Sequence, residues 1–117
     1  MPLIQVFTNV PAPAPAQQSA LLGELSRLLA VRFDKPERWV MTCLVPGLAM
    51  TFGGTAAPTA FVAVKNIGTM QPEDTARLSR DLVERLEKAL NVPPDRVYVQ
   101  FTDAVDHLWG WNGGTFA

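Results

Sequence analysis

The chain has 117 residues, 48% of them hydrophobic and 18% charged, which is the composition of one globular domain spanning residues 1–117 rather than of a disordered segment. A formal net charge of −1, without any run of basic residues, argues against nucleic acid or an anionic membrane as the partner. One cysteine and one histidine exclude an internal disulfide and a Cys- or His-based metal centre, and no segment approaches the roughly 20 apolar residues of a membrane-spanning helix, so we expect neither metal nor cofactor.

The first half of the chain predicts a strand, a helix and a second strand. Residues 3–8 (LIQVFT) and 39–45 (WVMTCLV) are rich in β-branched and aromatic residues, which favours strands. Between them, leucines recur at helical spacing over about 17–33, after the proline-rich stretch PAPAPA. This spacing predicts an amphipathic helix with one apolar side.

The second half predicts the same order again. Residues 60–67 (AFVAVKNI) and 96–102 (RVYVQFT) read as strands, and an apolar stripe at i, i+4 and i+8 predicts a helix over 72–90. Pro72 suits the first turn of that helix, where its missing amide hydrogen leaves no bond unmade. The tail LWGWNGGTFA combines aromatic residues with Gly turns, which predicts a short strand or hairpin.

The two halves also partly overlay when the chain is shifted by 58 positions, since residues 36–38 (PER) recur as residues 94–96 (PDR) at the equivalent place. We therefore expect an α+β fold in which two pseudo-symmetric β-α-β units form one four-stranded mixed sheet. Both helices would lie on one face of this sheet, and short C-terminal strands would follow it.

The predicted strands carry apolar residues at neighbouring positions, which point to opposite faces of the sheet. Examples are Val6 and Phe7 in the first strand and Phe61 and Val62 in the third. Two helices cover only one face of a four-stranded sheet, so the other face needs a different cover. We expect further copies of the chain to provide it in a closed ring. The residue pattern alone leaves the number of copies open.

Pro2 stands directly before the first strand, and two interpretations of it stay open. A proline is tolerated at the first residue of a strand and then has no chemical role. Loss of Met1 would instead make it a free secondary amine, and an ordinary α-amine has a pKa of about 7.7–8.0. Burial and a nearby cation both lower such a pKa, which would make the amine a general base near neutral pH.

Other candidate residues also have a structural and a functional interpretation. Lys35, in the loop DKPERW, is either a solvated lysine or a cation that binds a substrate carboxylate or carbonyl oxygen. Ile67 and Gly68 either simply end the third strand or offer a backbone amide to a ligand. Most aromatic residues on strands belong to a core, but the two tryptophans of the Gly-rich tail could wall a small apolar pocket.

Six short segments occur in an order and spacing that resemble the tautomerase superfamily, and most closely the macrophage migration inhibitory factor and D-dopachrome tautomerase family. The resemblance covers essentially the whole chain and implies a homotrimer with pockets at the subunit boundaries. The segments are PLIQVFTNVP (2–11), KP (35–36), AMTFGG (49–54), NIG (66–68), PPDRVYVQF (93–101) and GWNGGTFA (110–117).

The resemblance implies roles for individual residues. Pro2, exposed by loss of Met1, matches the catalytic base of the family. Lys35 matches an active-site lysine that anchors a carboxylate and lowers the pKa of the base. Ile67 matches a backbone amide donor, and Tyr98 matches a tyrosine that the neighbouring subunit supplies.

The resemblance also implies an aromatic pocket, with some departures. Trp39 stands where the cytokine branch has a smaller tyrosine, so we expect a narrower rim. Gln100 replaces an asparagine beside the pocket, which moves its amide one methylene further out. Trp109 has no tryptophan counterpart in the cytokine and should line or close the entrance. Trp111 and Phe116 match the aromatic walls.

The resemblance therefore implies a keto-enol tautomerase that acts on a small aromatic 2-oxo acid, phenylpyruvate-like or dopachrome-like, with Pro2 as the base. The alternative is a cytokine-like binding protein with a receptor partner and a vestigial pocket. A dehalogenase or hydratase of the superfamily would need a pocket arginine. Arg38 and Arg96 are the candidates, but their repeat-related positions indicate structural roles.

The amino-terminal residues lack the basic and apolar regions of a signal peptide, which predicts the cytoplasm. The family includes a cytokine that is exported without a leader, so leaderless secretion stays open.

Overall fold

The computed structural model describes residues 1–117 and contains the two predicted β-α-β units in the predicted order. The short C-terminal strands follow them, as expected from the tail sequence. In chain order the elements are β1 (Leu3–Thr8), α1 (Pro15–Arg32), β2 (Met41–Val45), β3 (Ala60–Ile67), α2 (Pro72–Leu90), β4 (Val97–Ala104), β5 (Gly110–Trp111) and β6 (Gly114–Thr115).

The four longer strands form one mixed sheet in the order β2-β1-β3-β4. Each β-α-β unit contributes a parallel pair, β1 with β2 and β3 with β4, because the helix of the unit returns the chain to the same end of the sheet. The two units meet through β1 and β3, which pair antiparallel. The predicted α+β fold and its pseudo-symmetry are thereby confirmed.

The core lies between the two helices and one face of the sheet. Each helix contributes four buried leucines, and the central strands contribute the alternate residues that point to the helices. Arg32 of α1 and Asp81 of α2 join the helices at their edge with a 2.6 Å ion pair. Neither helix is apolar enough over its length to cross a membrane. The main core residues are Ile4, Val6, Leu21, Leu25, Leu28, Leu29, Val62, Val64, Leu78, Leu82, Leu86 and Leu90.

Several element boundaries differ from the sequence-based expectation. Arg96, expected to be the first residue of the fourth strand, lies instead in the 3-10 turn Pro94–Arg96, so that β4 begins at Val97. Helix α1 begins at Pro15, inside the proline-rich stretch, because proline is well suited to the first helical position. Strand β2 begins at Met41 and not at Trp39, because Trp39 is the last residue of the 3-10 turn Glu37–Trp39. Strand β4 continues to Ala104, where it still pairs with Ile67 at the end of β3.

The second face of the sheet has no layer packed on it within one chain. Phe7 and Phe61 stack there with ring centroids 6.0 Å apart, and both are only half-buried. Gln5 and Lys65 share this face, so it is less apolar than expected from Leu3, Phe7 and Phe61 alone. With one face open, only 19 of 117 residues are buried, and the radius of gyration of 14.5 Å exceeds the about 13 Å of a compact chain of this length.

The tail folds as the expected hairpin. Strands β5 and β6 pair antiparallel through a two-residue turn at Asn112 and Gly113. Both turn residues have positive φ, 49° and 80°, which Asn-Gly accepts more readily than other residue pairs.

Candidate functional site

The amino end of β1 brings a buried proline and an amine to one side of the sheet. Pro2 is buried, and its carbonyl oxygen accepts a 3.1 Å hydrogen bond from the Met41 amide. The Met1 amine donates to Asn66 Oδ1 at 3.4 Å. Burial, and secondly the positive charge of Lys35, hold the pKa of this amine below its ordinary value. While Met1 is attached, the Pro2 nitrogen is an amide nitrogen without basic character.

The turn after α1 brings Lys35 towards this amine. The helix ends at Arg32, and Asp34 then adopts a left-handed conformation with φ of 50°. This reversal allows the Lys35 amide to donate to the Ala30 carbonyl at 3.0 Å. The Lys35 ammonium forms no ion pair within the chain, so its charge is free to act on the amine or on a ligand.

Lys35 and Ile67 line the same hollow, which we call the lysine hollow. It has a volume of about 380 Å³ and lies where β3 ends. Buried Asn66 also lines it, as does Gly68, whose φ of 117° is accessible mainly to glycine. The expected lysine and backbone donor therefore lie together.

The predicted aromatic walls surround a second hollow, the aromatic hollow, of about 380 Å³. This volume is in the range that small-molecule sites occupy. Trp109 lines the hollow and leaves it open. The residues that line it are Met1, Pro2, Leu3, Arg38, Trp39, Val40, Met41, Trp109, Gly110, Trp111 and Phe116.

Contacts between aromatic rings attach the C-terminal hairpin to the body of the protein. Trp39 meets Trp111 edge to face at 4.9 Å and Phe116 at 6.0 Å, while Trp111 and Phe116 stack at 6.1 Å. Each such pair contributes about 0.5–1.5 kcal/mol beyond its buried area. The Phe116 amide also donates to the Trp109 carbonyl at 3.1 Å, so the hairpin forms one wall of the hollow.

Met1 connects the two hollows. It lines the aromatic hollow, and its amine is bonded to Asn66, which lines the lysine hollow. Pro2 is directly next to it in the chain. Removal of Met1 would therefore leave the Pro2 nitrogen in the aromatic hollow, next to the place where the amine of Met1 bonds Asn66 of the lysine hollow.

Tyr98 and Gln100 are far from Pro2 within one chain. Tyr98 lies on edge strand β4 in register with Phe61 and Phe7, so it is two strands away from β1 and five residues along it from Pro2. These spacings correspond to a separation of about 20 Å. Gln100 is on the same open face, and Tyr98 has 66% of its surface exposed. A single chain does not bring these two residues to the hollows.

Comparison with known proteins places the chain in a family. The family model described as "Macrophage migration inhibitory factor (MIF)" matches residues 1–117. The chain belongs to the macrophage migration inhibitory factor family. It is 36% identical to macrophage migration inhibitory factor of Rattus norvegicus over 117 residues, which is all of both chains.

Solved structures of the macrophage migration inhibitory factor family superpose closely on the chain. The homologue from Prochlorococcus marinus has a TM-score of 0.93 at 44% identity, covering 98% of this chain and 99% of that one. The Toxoplasma gondii protein has a TM-score of 0.91 at 32% identity, covering 97% and 99%. Membership of this family supports a tautomerase or a cytokine-like role.

Two residues near the hollows were not assigned to the site from the sequence, although Arg38 had been considered there as a candidate pocket arginine. Asn66 follows Ala60, Val62 and Val64 at the inward-facing positions of β3, where the alternation calls for an apolar residue. A polar residue at an inward-facing strand position was the signal by which the sequence could have identified Asn66 as a site residue. Arg38 lines the aromatic hollow, although its repeat-related position had indicated a structural role.

The second repeat-related arginine, Arg96, does have the structural role expected of it. Its guanidinium holds residues 52–58 by hydrogen bonds to four backbone carbonyls and lies 5.4 Å from the ring centre of Phe52. Phe52 in turn packs against Tyr98, with ring centroids 4.9 Å apart. The carbonyl acceptors are Phe52 at 3.1 Å, Thr55 at 3.2 Å, Ala57 at 3.0 Å and Pro58 at 2.8 Å.

The substitution Arg96→Met should release residues 52–58, because four carbonyls lose their shared donor. We expect faster amide hydrogen exchange in this segment and a loss of about 1–3 kcal/mol in the free energy of unfolding. The matched change Arg80→Met, at an exposed position of α2, should alter neither the exchange of residues 52–58 nor the free energy of unfolding. Unchanged exchange in Arg96→Met would show that other contacts hold the segment.

Proposed function

We propose that the protein is a keto-enol tautomerase of small aromatic 2-oxo acids, phenylpyruvate-like or dopachrome-like, with Pro2 as general base once Met1 is removed. The observation that carries the proposal is the position of the chain's amino end at the junction of the aromatic and lysine hollows. The proposal also agrees with membership of a family whose members are commonly tautomerases.

In the proposed step, the neutral Pro2 nitrogen takes a proton from the carbon next to the ketone. The C–H bond breaks, its electron pair forms the C=C bond of the enol, and the ketone π electrons move to the oxygen. A proton then reaches this oxygen, and Pro2 returns to its neutral form in the same overall exchange. Tautomerisation therefore needs no cofactor, because no atom is gained or lost.

Lys35 and the Ile67 amide would stabilise the charge that develops in this step. Both line the lysine hollow, where an ammonium and a backbone donor can bind the substrate carboxylate or the enolate oxygen. The aryl group would occupy the aromatic hollow against Trp39, Trp109, Trp111 and Phe116. Burial and, secondly, the Lys35 charge lower the pKa of the amine of Met1, which is the residue next to Pro2.

We further propose that the working form is a homotrimer in which Tyr98 and Gln100 complete the pocket of a neighbouring subunit. Two features support this assignment. The open sheet face exposes stacked Phe7 and Phe61, and Tyr98 is too far from Pro2 to serve its own chain. Tyr98 and Gln100 would reach the substrate only across a subunit boundary.

A cytokine-like binding role is the second candidate, and the names of the relatives favour it, since they describe inhibitory factors of macrophage migration. Such a role would need the surface of the protein but not a free amine at Pro2. It predicts that receptor-ectodomain binding survives when Pro2 is blocked. Protein with Pro2 blocked therefore separates the two candidates.

Blocking the Pro2 amine should abolish most turnover of phenylpyruvate. We compare protein whose intact mass verifies a Pro2 terminus with a form that carries one alanine between Met1 and Pro2. The blocked form should lose about 10²–10⁴-fold in kcat/KM, which is the usual contribution of a general base. Pro2→Gly should lose less, because a primary amine remains.

The control for Pro2→Gly is Pro11→Gly, the same change at an exposed position away from both hollows. It should keep the turnover of the parent protein. Equal turnover by the blocked and the free forms would contradict the assignment of Pro2 as base.

The pH dependence of kcat/KM tests the electrostatic role of Lys35. Burial and, secondly, the Lys35 charge lower the pKa of the Met1 amine, and we expect the same two causes to act on the Pro2 amine that replaces it once Met1 is removed. Activity should then rise with pH through a midpoint below that of an ordinary α-amine. Lys35→Met removes the cation and should move this midpoint to higher pH and raise KM. Lys88→Met, an exposed control on α2, should leave the midpoint in place. A midpoint unmoved by Lys35→Met would contradict the coupling.

The proposed assembly predicts a particle mass near three times the 12.8 kDa of one chain in sedimentation equilibrium. Phe7→Glu places a charge on the open face and should give single chains with a native circular-dichroism spectrum, because Phe7 lies outside the helix-packed core. Val31→Glu, at a position of α1 with 73% exposure, should keep the parent mass. A parent protein that sediments as one chain would refute the trimer.

A further inference from the structure

Arg38 and Arg96 occupy equivalent places in the two repeats but meet different surroundings. Each lies in a 3-10 turn, Glu37–Trp39 or Pro94–Arg96, immediately before the second strand of its unit. The Arg96 guanidinium donates four hydrogen bonds to backbone carbonyls of its own chain. Arg38 forms no hydrogen bond to the protein, and the one ion pair of the chain joins Arg32 and Asp81 instead. The five donors of Arg38 are therefore left for a ligand.

Arg38 lines the aromatic hollow, so its donors are within reach of a ligand there. Its guanidinium carbon lies 5.4 Å from the centre of the Trp39 ring, and it is the one charged side chain among the residues that line the hollow. Stacking on an indole holds a guanidinium in place while leaving its edge free for hydrogen bonds. A planar fork of this kind binds a carboxylate through two parallel bonds.

The two cations line different hollows, and a substrate that spans both hollows would meet one cation at each end. Lys35 lines the lysine hollow together with Ile67, whereas Arg38 lines the aromatic hollow together with Pro2. An arylpyruvate whose 2-oxo acid end meets Lys35 places its ring in the aromatic hollow. A group on the far side of that ring then points towards Arg38.

We propose that Arg38 is a specificity-determining residue that selects aromatic 2-oxo acids with a second acidic group at the far end of the ring. The proposal rests on the proposed function for its reaction and on the aromatic hollow for its geometry. A carboxylate at that end pairs with the guanidinium, while Lys35 holds the other carboxylate. Unsubstituted phenylpyruvate leaves Arg38 without a partner.

Turnover is the first test, with phenylpyruvate and 4-carboxyphenylpyruvate as the substrate pair and a verified Pro2 terminus. The measured quantity is the ratio of the two kcat/KM values. Arg38→Gln should lower this preference for the carboxylated substrate about three- to tenfold, and the loss should shrink at high salt. Arg38→Lys should keep part of this preference, because lysine retains the positive charge but lacks the planar guanidinium that can form two parallel hydrogen bonds. Arg77→Gln, an exposed control on α2, should keep the whole ratio.

Binding of unreactive analogues gives a second test that does not depend on the chemistry. Calorimetry compares the dissociation constants of 3-phenylpropanoate and 3-(4-carboxyphenyl)propanoate for the parent protein and for Arg38→Gln. A selective loss for the dicarboxylate supports Arg38, whether or not phenylpyruvate is turned over. If Arg38→Gln weakens both analogues equally, or neither, the specificity assignment is wrong. Absence of turnover by the parent protein would contradict the proposed function alone.

Discussion

Ile4, Val6, Val62 and Val64 point to the same side of the two central strands, and eight leucines from two helices pack onto them. Successive residues of a strand point to opposite faces of the sheet, and the even-numbered residues of these two strands form the core of a single chain. The odd-numbered residues, which include the stacked Phe7 and Phe61, lie on the face that no helix covers. The open face and the remote position of Tyr98 both follow from that division. In the proposed trimer they become one feature, because the surface that associates also carries the residues that complete the neighbouring pocket.

The same sheet geometry places the amino end of the chain in an unusual electrostatic environment. Strand β1 lies between β2 and β3, so the residues just before it are enclosed by neighbours on both sides. Pro2 is buried for this reason, and the adjacent amine loses hydration while Lys35 adds a positive charge. Both effects disfavour an ammonium. The proposed base thus owes its properties to the order of the strands, and the aromatic hollow beside it owes one wall to a hairpin from the other end of the chain.

The internal duplication explains why two arginines at equivalent positions differ in role. Both follow a proline and an acidic residue, and both lie in a 3-10 turn that leads into a strand. In the second unit, residues 52–58 pass within reach of the turn, and their carbonyls take up the Arg96 guanidinium. In the first unit, the equivalent space is bounded by Trp39 and the C-terminal hairpin, which offer Arg38 an aromatic face but no acceptor. Duplication gives both units the same turn, and the segment that reaches each turn decides what the arginine does.

The sequence by itself determined the element types, their order, the mixed sheet and the candidate residues of the amino end, because period-2 and helical spacing, Pro and Gly are local signals. It also indicated that two helices are too few for a sheet that is apolar on both faces. It misplaced the start of β2, since the turn at Glu37–Trp39 is set by packing of Trp39 against the hairpin. Only the tertiary structure decided that Lys35 and Ile67 share one hollow, that Arg38 faces another, and that Tyr98 belongs to neither in its own chain. Those relations join residues far apart in sequence, and they depend on strand order and register, which no local pattern encodes.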